Sequence, residues 1–301
     1  MGPYNMKNRR TSGWLDVDEE LHALAFCEST GRKGMGRVVL VTGATDGIGL
    51  AAAQQLNRNG HTVLVHGRSP VKVSNVVASL GGGTKGYVAD LSLMSEVRRL
   101  GGEVATDYPE LEGLLNNAGS FDGNYTGKRV LTSEGNEYTL AVNVLAPFLL
   151  TALLLPALRA SGAGRVVISS SVSMGAADAL TDLQLQNGYS GHRAYSLSKL
   201  CDAMISQELH ARYGDPPLLT FNTMDPTEQV GLGADTKMLR AGWGDWGSSA
   251  SRATISADMM MAEGWAGRSG EGFSRTREVA DPVARKLLWD ELTALTGAQY
   301  P

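Results

Sequence analysis

A chain of 301 residues, 43% hydrophobic and 19% charged, is long enough for one large α/β domain with a sizeable core and short for two ordinary ones. Its net charge of −4 gives no electrostatic footing for nucleic acid, and two cysteines, Cys27 and Cys201, cannot make a disulfide framework. The longest apolar run, 145–158, holds Pro147 and Pro156 and stops at Arg159, short of the roughly 18 residues of a membrane span, so the expectation is a cytoplasmic protein without one.

Residues 1–35 read as an N-terminal extension: a polar tail over 1–13, then a stretch, 14–28, that fits one short amphipathic helix with Leu15, Leu21, Leu24 and Ala25 on its apolar side. From 36 to 301 apolar runs alternate with helical patterns in what reads as a single domain. Strands are expected at 37–41, 62–66, 85–89, 111–115, 164–169 and 218–222. Helices are expected near 47–59, 70–80, 93–106, 135–160, 193–213 and 281–295. Continuous Val/Leu runs bounded by glycine suit strands buried on both faces, and strand–helix alternation points to a Rossmann-type doubly wound parallel sheet. The stretch 231–275 breaks this rhythm. It is rich in Gly, Met and Trp (Trp243, Trp246, Met259, Met260, Met261, Trp265) and fits either a surface insertion with a satellite core or an apolar lid over a substrate pocket.

Between the first strand and the first helix lies Thr42-Gly43-Ala44-Thr45-Asp46-Gly47-Ile48-Gly49. Glycines at 43, 47 and 49 permit a tight turn that brings backbone N–H groups and a helix N-terminus against a pyrophosphate. An ordinary strand-to-helix turn is the competing reading, disfavoured by the strand before, the helix after and the second strand ending at His66. Further on, Tyr195 and Lys199 are four apart in a helical stretch, so their side chains emerge on one face. A nearby ammonium favours phenolate, which is expected to lower the tyrosine from its ordinary value of about 10 toward working pH, where acid/base transfer is efficient. The five histidines show no ligand spacing, so no metal is expected; Cys201 reads as a small buried residue.

The glycine turn, in its spacing TGxxxGxG, resembles that of the short-chain dehydrogenase/reductase family, and the resemblance runs from about Arg37 to Thr296. Asn116-Asn117-Ala118-Gly119 is similar to the family's NNAG motif, Ser169-Ser170-Ser171 to its strand-end serines, and Tyr195-Ser196-Leu197-Ser198-Lys199 to its YxxxK. The insertion between Ser171 and Tyr195, with Asp182-Leu183-Gln184, and the Ser198-Lys199-Leu200 run resemble the retinol-dehydrogenase-like branch. This implies carbonyl/alcohol interconversion by hydride transfer with a nicotinamide cofactor and a small apolar substrate. The cofactor would meet Thr42, Gly43, Thr45, Asp46, Gly47, Ile48, Gly49, Asp90, Leu91, Asn117, Ala118, Gly119, Tyr195, Lys199 and Pro226. Tyr195 would exchange the proton, Lys199 would hold the nicotinamide ribose, Asn143 would anchor a relay water, and Ser171, or else Ser170, would bond the substrate oxygen. One departure stands out: Thr227 follows Pro226 where the family places glycine. Pairing into a homo-oligomer through the helices near 135–160 and 193–213 is left open.

Cofactor choice is read at the end of the second strand, where NAD-selective folds place a carboxylate. Gly67 stands there, leaving room, and Arg68 and Ser69 follow with donors suited to a 2′-phosphate. NADP(H) is therefore expected over NAD(H), with Asp46 as the opposing feature. A cofactor-binding sensor or scaffold without turnover is the alternative to an enzyme.

Overall fold

The computed structural model describes residues 36–227 and 233–301; the extension expected over 1–35, with its tail and helix, lies outside them. Six parallel strands form the central sheet: β1 (Val38–Val41), β2 (Thr62–Gly67), β3 (Lys85–Val88), β4 (Gly113–Asn116), β5 (Gly164–Ser169) and β6 (Leu219–Met224), in the spatial order β3-β2-β1-β4-β5-β6. The order reverses between β1 and β4, which opens a crevice at their carboxyl ends, where the glycine turn and the NNAG segment emerge.

Successive strand residues point to opposite faces, and the two faces hold different cores. Leu40, Leu64, Leu114, Ile168 and Phe221 face helices α3 (Met94–Asp107), α4 (Tyr138–Ala160), α5 (Gly191–Tyr213) and α8 (Pro282–Thr296). Val39, Val41, Val63, Val65 and Val167 face α1 (Gly47–Arg58), α2 (Pro70–Leu80) and α7 (Ile255–Met261). Helix α4 is apolar enough and long enough to cross a membrane, yet 89% of its apolar 18-residue stretch is buried, and it runs through the larger core. Within it, Ala141–Leu145 is a π-type turn, closed by the Ala146 N–H on the Ala141 carbonyl.

The described part of 231–275 does two things. The segment Ala234–Trp243, which ends in helix α6 (Lys237–Trp243), approaches the glycine turn and Gly119. Helix α7 instead covers the second sheet face, with Met259 and Met260 fully buried and the Met260 methyl packed where a Cβ on Gly113 would stand. Neither a surface insertion nor a lid describes the whole stretch.

Candidate active site

Thr42 latches two loops together. Its hydroxyl accepts the N–H groups of Asn117 (2.9 Å) and Ala118 (3.0 Å), and the Asn117 amide donates back to the Thr42 carbonyl at 3.0 Å. Gly43 and Gly47 have φ of +66° and +51°, cheap only for glycine. A Cβ on Gly49 would stand 2.3 Å from the Gly43 carbonyl and 2.4 Å from the Asn117 amide, so that glycine is demanded by close approach. This cradle fits a dinucleotide: positive-φ glycines, a helix N-terminus whose first-turn N–H groups have no intrahelical acceptor, and tight backbone packing.

His66, weighed in the sequence only as a metal ligand, organises this turn. Its Nδ1 accepts the Gly43 N–H at 3.2 Å, and its Nε2 therefore donates to the Ala89 carbonyl at 3.1 Å. Burial pushes the imidazole down to about 4, so it is neutral near pH 7. The available signal was a polar residue inside an apolar strand run.

At the adenosine end several expected ligands have structural partners. Asp46 caps α1 through the Gly47 N–H (2.9 Å) and lies 3.6 Å from Lys72. Ser69 caps α2, and Asp90 accepts the Ser92 N–H in a turn beside buried Leu91. Arg68 is exposed and donates to the Tyr138 hydroxyl at 2.6 Å. The room credited to Gly67 is a correction: a Cβ there would stand 2.6 Å from the Thr45 methyl and 3.1 Å from Val73, so Thr45 fills it.

The catalytic candidates converge at the ends of β5 and β6. Tyr195, on α5, is buried, hydrogen-bonded with Ser171, and 5.7 Å separates its ring centre from the Lys199 ammonium. Ser170 points elsewhere, its hydroxyl donating to the Lys199 carbonyl at 2.6 Å; of the two serines, Ser171 faces the tyrosine. Asn143 sits in the π-type turn. Its carbonyl oxygen accepts the Ser120 N–H (2.7 Å), and its amide donates to the Ser120 carbonyl (3.1 Å) and the Ser198 hydroxyl (2.9 Å), tying the NNAG loop to α5.

The expected lowering of Tyr195 is overturned. Burial pushes the phenol up and outweighs the Lys199 charge and the Ser171 hydrogen bond, while Asp225 and Asp202 push the same way. Lys199 is itself occupied, donating to the Ser169 carbonyl (2.7 Å) and Asp202 (2.8 Å). Asp225, also missed in the sequence, anchors the neighbouring loops: one carboxylate oxygen accepts the Val172 N–H (2.8 Å) and the Ser171 hydroxyl (3.4 Å), the other the Thr227 N–H (2.7 Å) and hydroxyl (2.6 Å). Thr227 thus fixes the turn at Pro226 through Asp225.

Over the tyrosine lies an aromatic group. Ring centres of Phe121 and Trp243 stand 5.8 and 5.4 Å from that of Tyr195, and His192 meets both of them at 5.2 Å while bonding the Gly242 carbonyl at 2.9 Å. Buried Cys201 has its thiol pushed up by burial, which makes it a poor nucleophile. Among the described residues no three His, Cys, Asp or Glu side chains gather as a metal site.

The family model for short chain dehydrogenases matches residues 37–226. Mouse polyprenol dehydrogenase is 40% identical over 224 residues, 69% of this chain and 63% of that protein, so the match spans less than two thirds of that relative. Human retinol dehydrogenase 12 is 30% identical over 281 residues, 88% of each chain. A solved protein from Mycobacterium paratuberculosis superposes with a TM-score of 0.67 at 28% identity, covering 89% of this chain and 96% of its own. A short chain dehydrogenase from Shigella flexneri complexed with NADP gives 0.62 at 26%, covering 78% and 95%.

Proposed function

Because the chain belongs to the short-chain dehydrogenase family, in its retinol-dehydrogenase-like branch, we propose that it interconverts an apolar alcohol and its carbonyl compound with NADP(H), using Tyr195 as the acid/base. The observation that carries this reading is the meeting of Tyr195, Ser171 and Lys199 beside the crevice that holds the glycine turn.

Thr42, Gly43, Gly47, Gly49, Asn117 and Ala118 would hold the dinucleotide, whose nicotinamide supplies or takes the hydride when bound. Ser171 bonds the substrate oxygen, and Tyr195 gives that oxygen its proton in reduction or removes it in oxidation. A phenol raised by burial is protonated near neutral pH, which suits the donor role. Phe121, His192 and Trp243 offer an aromatic surface to an apolar substrate, consistent with the polyprenol and retinol named for the relatives. NADP(H) is supported by exposed Arg68 at the end of β2 and by Lys72 one turn into α2, and opposed by the Asp46 carboxylate.

The test is a panel of apolar alcohols and carbonyls with both nicotinamide cofactors, followed by reduced-cofactor absorbance. Tyr195→Phe is expected to lower kcat by at least about 100-fold while cofactor still binds; near wild-type kcat would refute the mechanism. Arg68→Ala is expected to cut kcat/KM with NADPH by about 10-fold or more and to spare NADH, as loss of a charge-assisted bond predicts. A wild type that already prefers NADH would end the NADP(H) assignment. Cofactor binding with no turnover on any member of the panel would favour the sensor reading.

A further inference from the structure

One carboxylate beside the proposed acid/base pair has no role in the scheme above. Asp202 lies one turn beyond Lys199 on α5 and is 1% exposed. Its Oδ2 accepts from the Lys199 ammonium at 2.8 Å, and the same ammonium donates to the Ser169 carbonyl at 2.7 Å, at the end of β5. Its Oδ1 is buried with no hydrogen-bond partner among the described residues. A carboxylate taken out of water and half satisfied is costly, and packing alone does not account for it.

We propose that Asp202 is a positioning residue: it draws the Lys199 ammonium back against β5 and offsets its charge at the Tyr195 hydroxyl, so that the phenol keeps its proton and the site is set for carbonyl reduction. The inference rests on the oxidoreductase reading. Lysine lowers a neighbouring phenol only as far as its positive charge goes unopposed. Burial pushes the Asp202 carboxyl up to about 7 against the pull of Lys199, so the opposing charge is complete only above that pH, where it sits 2.8 Å from the ammonium inside the protein and screening by water is weak.

The other groups near this pair leave Asp202 as the direct partner of Lys199. Asp225, just past β6, is engaged by Ser171, Val172 and Thr227. β5 ends in Ser169, with Ser170 just past it, and α4 presents Asn143, none of which titrates, while the thiol of Cys201, next to Asp202 on α5, is held protonated by burial. Further along α5, Glu208 is paired with Arg212 and with Arg285 of α8, and near the helix start Arg193 is paired with Asp178. The short helix Arg277–Ala280 buries Val279 in the larger core beside α5. Burial works to lower Lys199, but Asp202, Tyr195 and Asp225 together hold it above the ordinary lysine value, so the ammonium stays charged while it is pinned.

Asp202→Asn keeps the volume and an oxygen acceptor for Lys199 and removes the charge. Phenolate absorbance near 295 nm is titrated in the intact protein as the difference between wild type and Tyr195→Phe, and again with Asp202→Asn in both. The chain has 9 tyrosines, so only the difference isolates Tyr195. The Tyr195 step is expected at least about one pH unit lower in the Asp202→Asn pair. A step at the same pH in both pairs, or in neither, overturns the proposal. No substrate enters this measurement, so a protein without turnover would still show the shift, and failure of the enzyme reading stays distinguishable. On an identified substrate, the alkaline limb of the kcat/KM profile for reduction should move down with it. If circular dichroism shows neither Asp202→Asn nor Asp202→Ser folded, the carboxylate serves the helix, which also overturns the proposal.

Discussion

A neutral histidine between two backbone groups makes the glycine turn sensitive to acid. His66 holds the Gly43 N–H and the Ala89 carbonyl through opposite ring nitrogens, an arrangement only the neutral ring can make. Its value near 4 lies below the ordinary 6.5, so between those pH values the unfolded chain binds a proton that the folded chain refuses. The stability involved is complete above about pH 6.5 and is lost as pH falls toward about 4, with an upper bound of about 3 kcal/mol. His66→Gln should cost about 1–3 kcal/mol at pH 7.5 and should flatten the difference between urea midpoints at pH 7.5 and pH 5. An equally steep pH dependence in the variant would assign the effect to other groups. Asp225 belongs with His66 at this scale: it is an ordinary polar residue in the sequence, and its partners Ser171 and Val172 come from a segment whose approach no local pattern announces. Asp202 differs, since its partner Lys199 is one turn away on the same helix and only the burial of the pair was hidden.

The elements were the legible part. All six strands stand within about two residues of the expected places, because unbroken runs such as Val38–Val41 and Gly164–Ser169 fit a pleat covered on both sides. Spacing also put Tyr195 and Lys199 on one helix face, but it could not show that burial outweighs the ammonium, since burial is a property of the packed neighbours. The π-type turn at Ala141–Leu145 was illegible for another reason: Ala-Val-Asn-Val-Leu suits an α-helix equally well, and the extra residue per turn follows from how Asn143 meets Ser120 and Ser198. In 231–275 the two short helices lacked enough turns for a period to be read, and their different burial appears only in the fold. That division can be measured. Met260→Ala should lower stability by about 2–5 kcal/mol, because the side chain is fully buried over β4. Trp243→Ala should leave the melting temperature within a few degrees and raise KM for an apolar substrate. Comparable losses of stability in both variants would make the stretch one structural unit.

At the scale of the molecule, the reversal of strand order between β1 and β4 brings distant segments to one crevice: the turn after β1, the NNAG loop after β4, the serines after β5 and Asp225 after β6. Residue types at this crevice could be read in order along the chain, since each follows a strand. Their mutual distances could not, because those depend on sheet twist and on what lies over the crevice. What lies over it includes Trp243, whose ring centre is 5.4 Å from that of Tyr195 and 5.3 Å from that of Phe121. An indole in that position is a built-in optical reporter. Its emission overlaps the absorption of a reduced nicotinamide, so occupancy of the crevice would be readable as quenched tryptophan fluorescence with sensitised emission from the cofactor, without any label and without turnover.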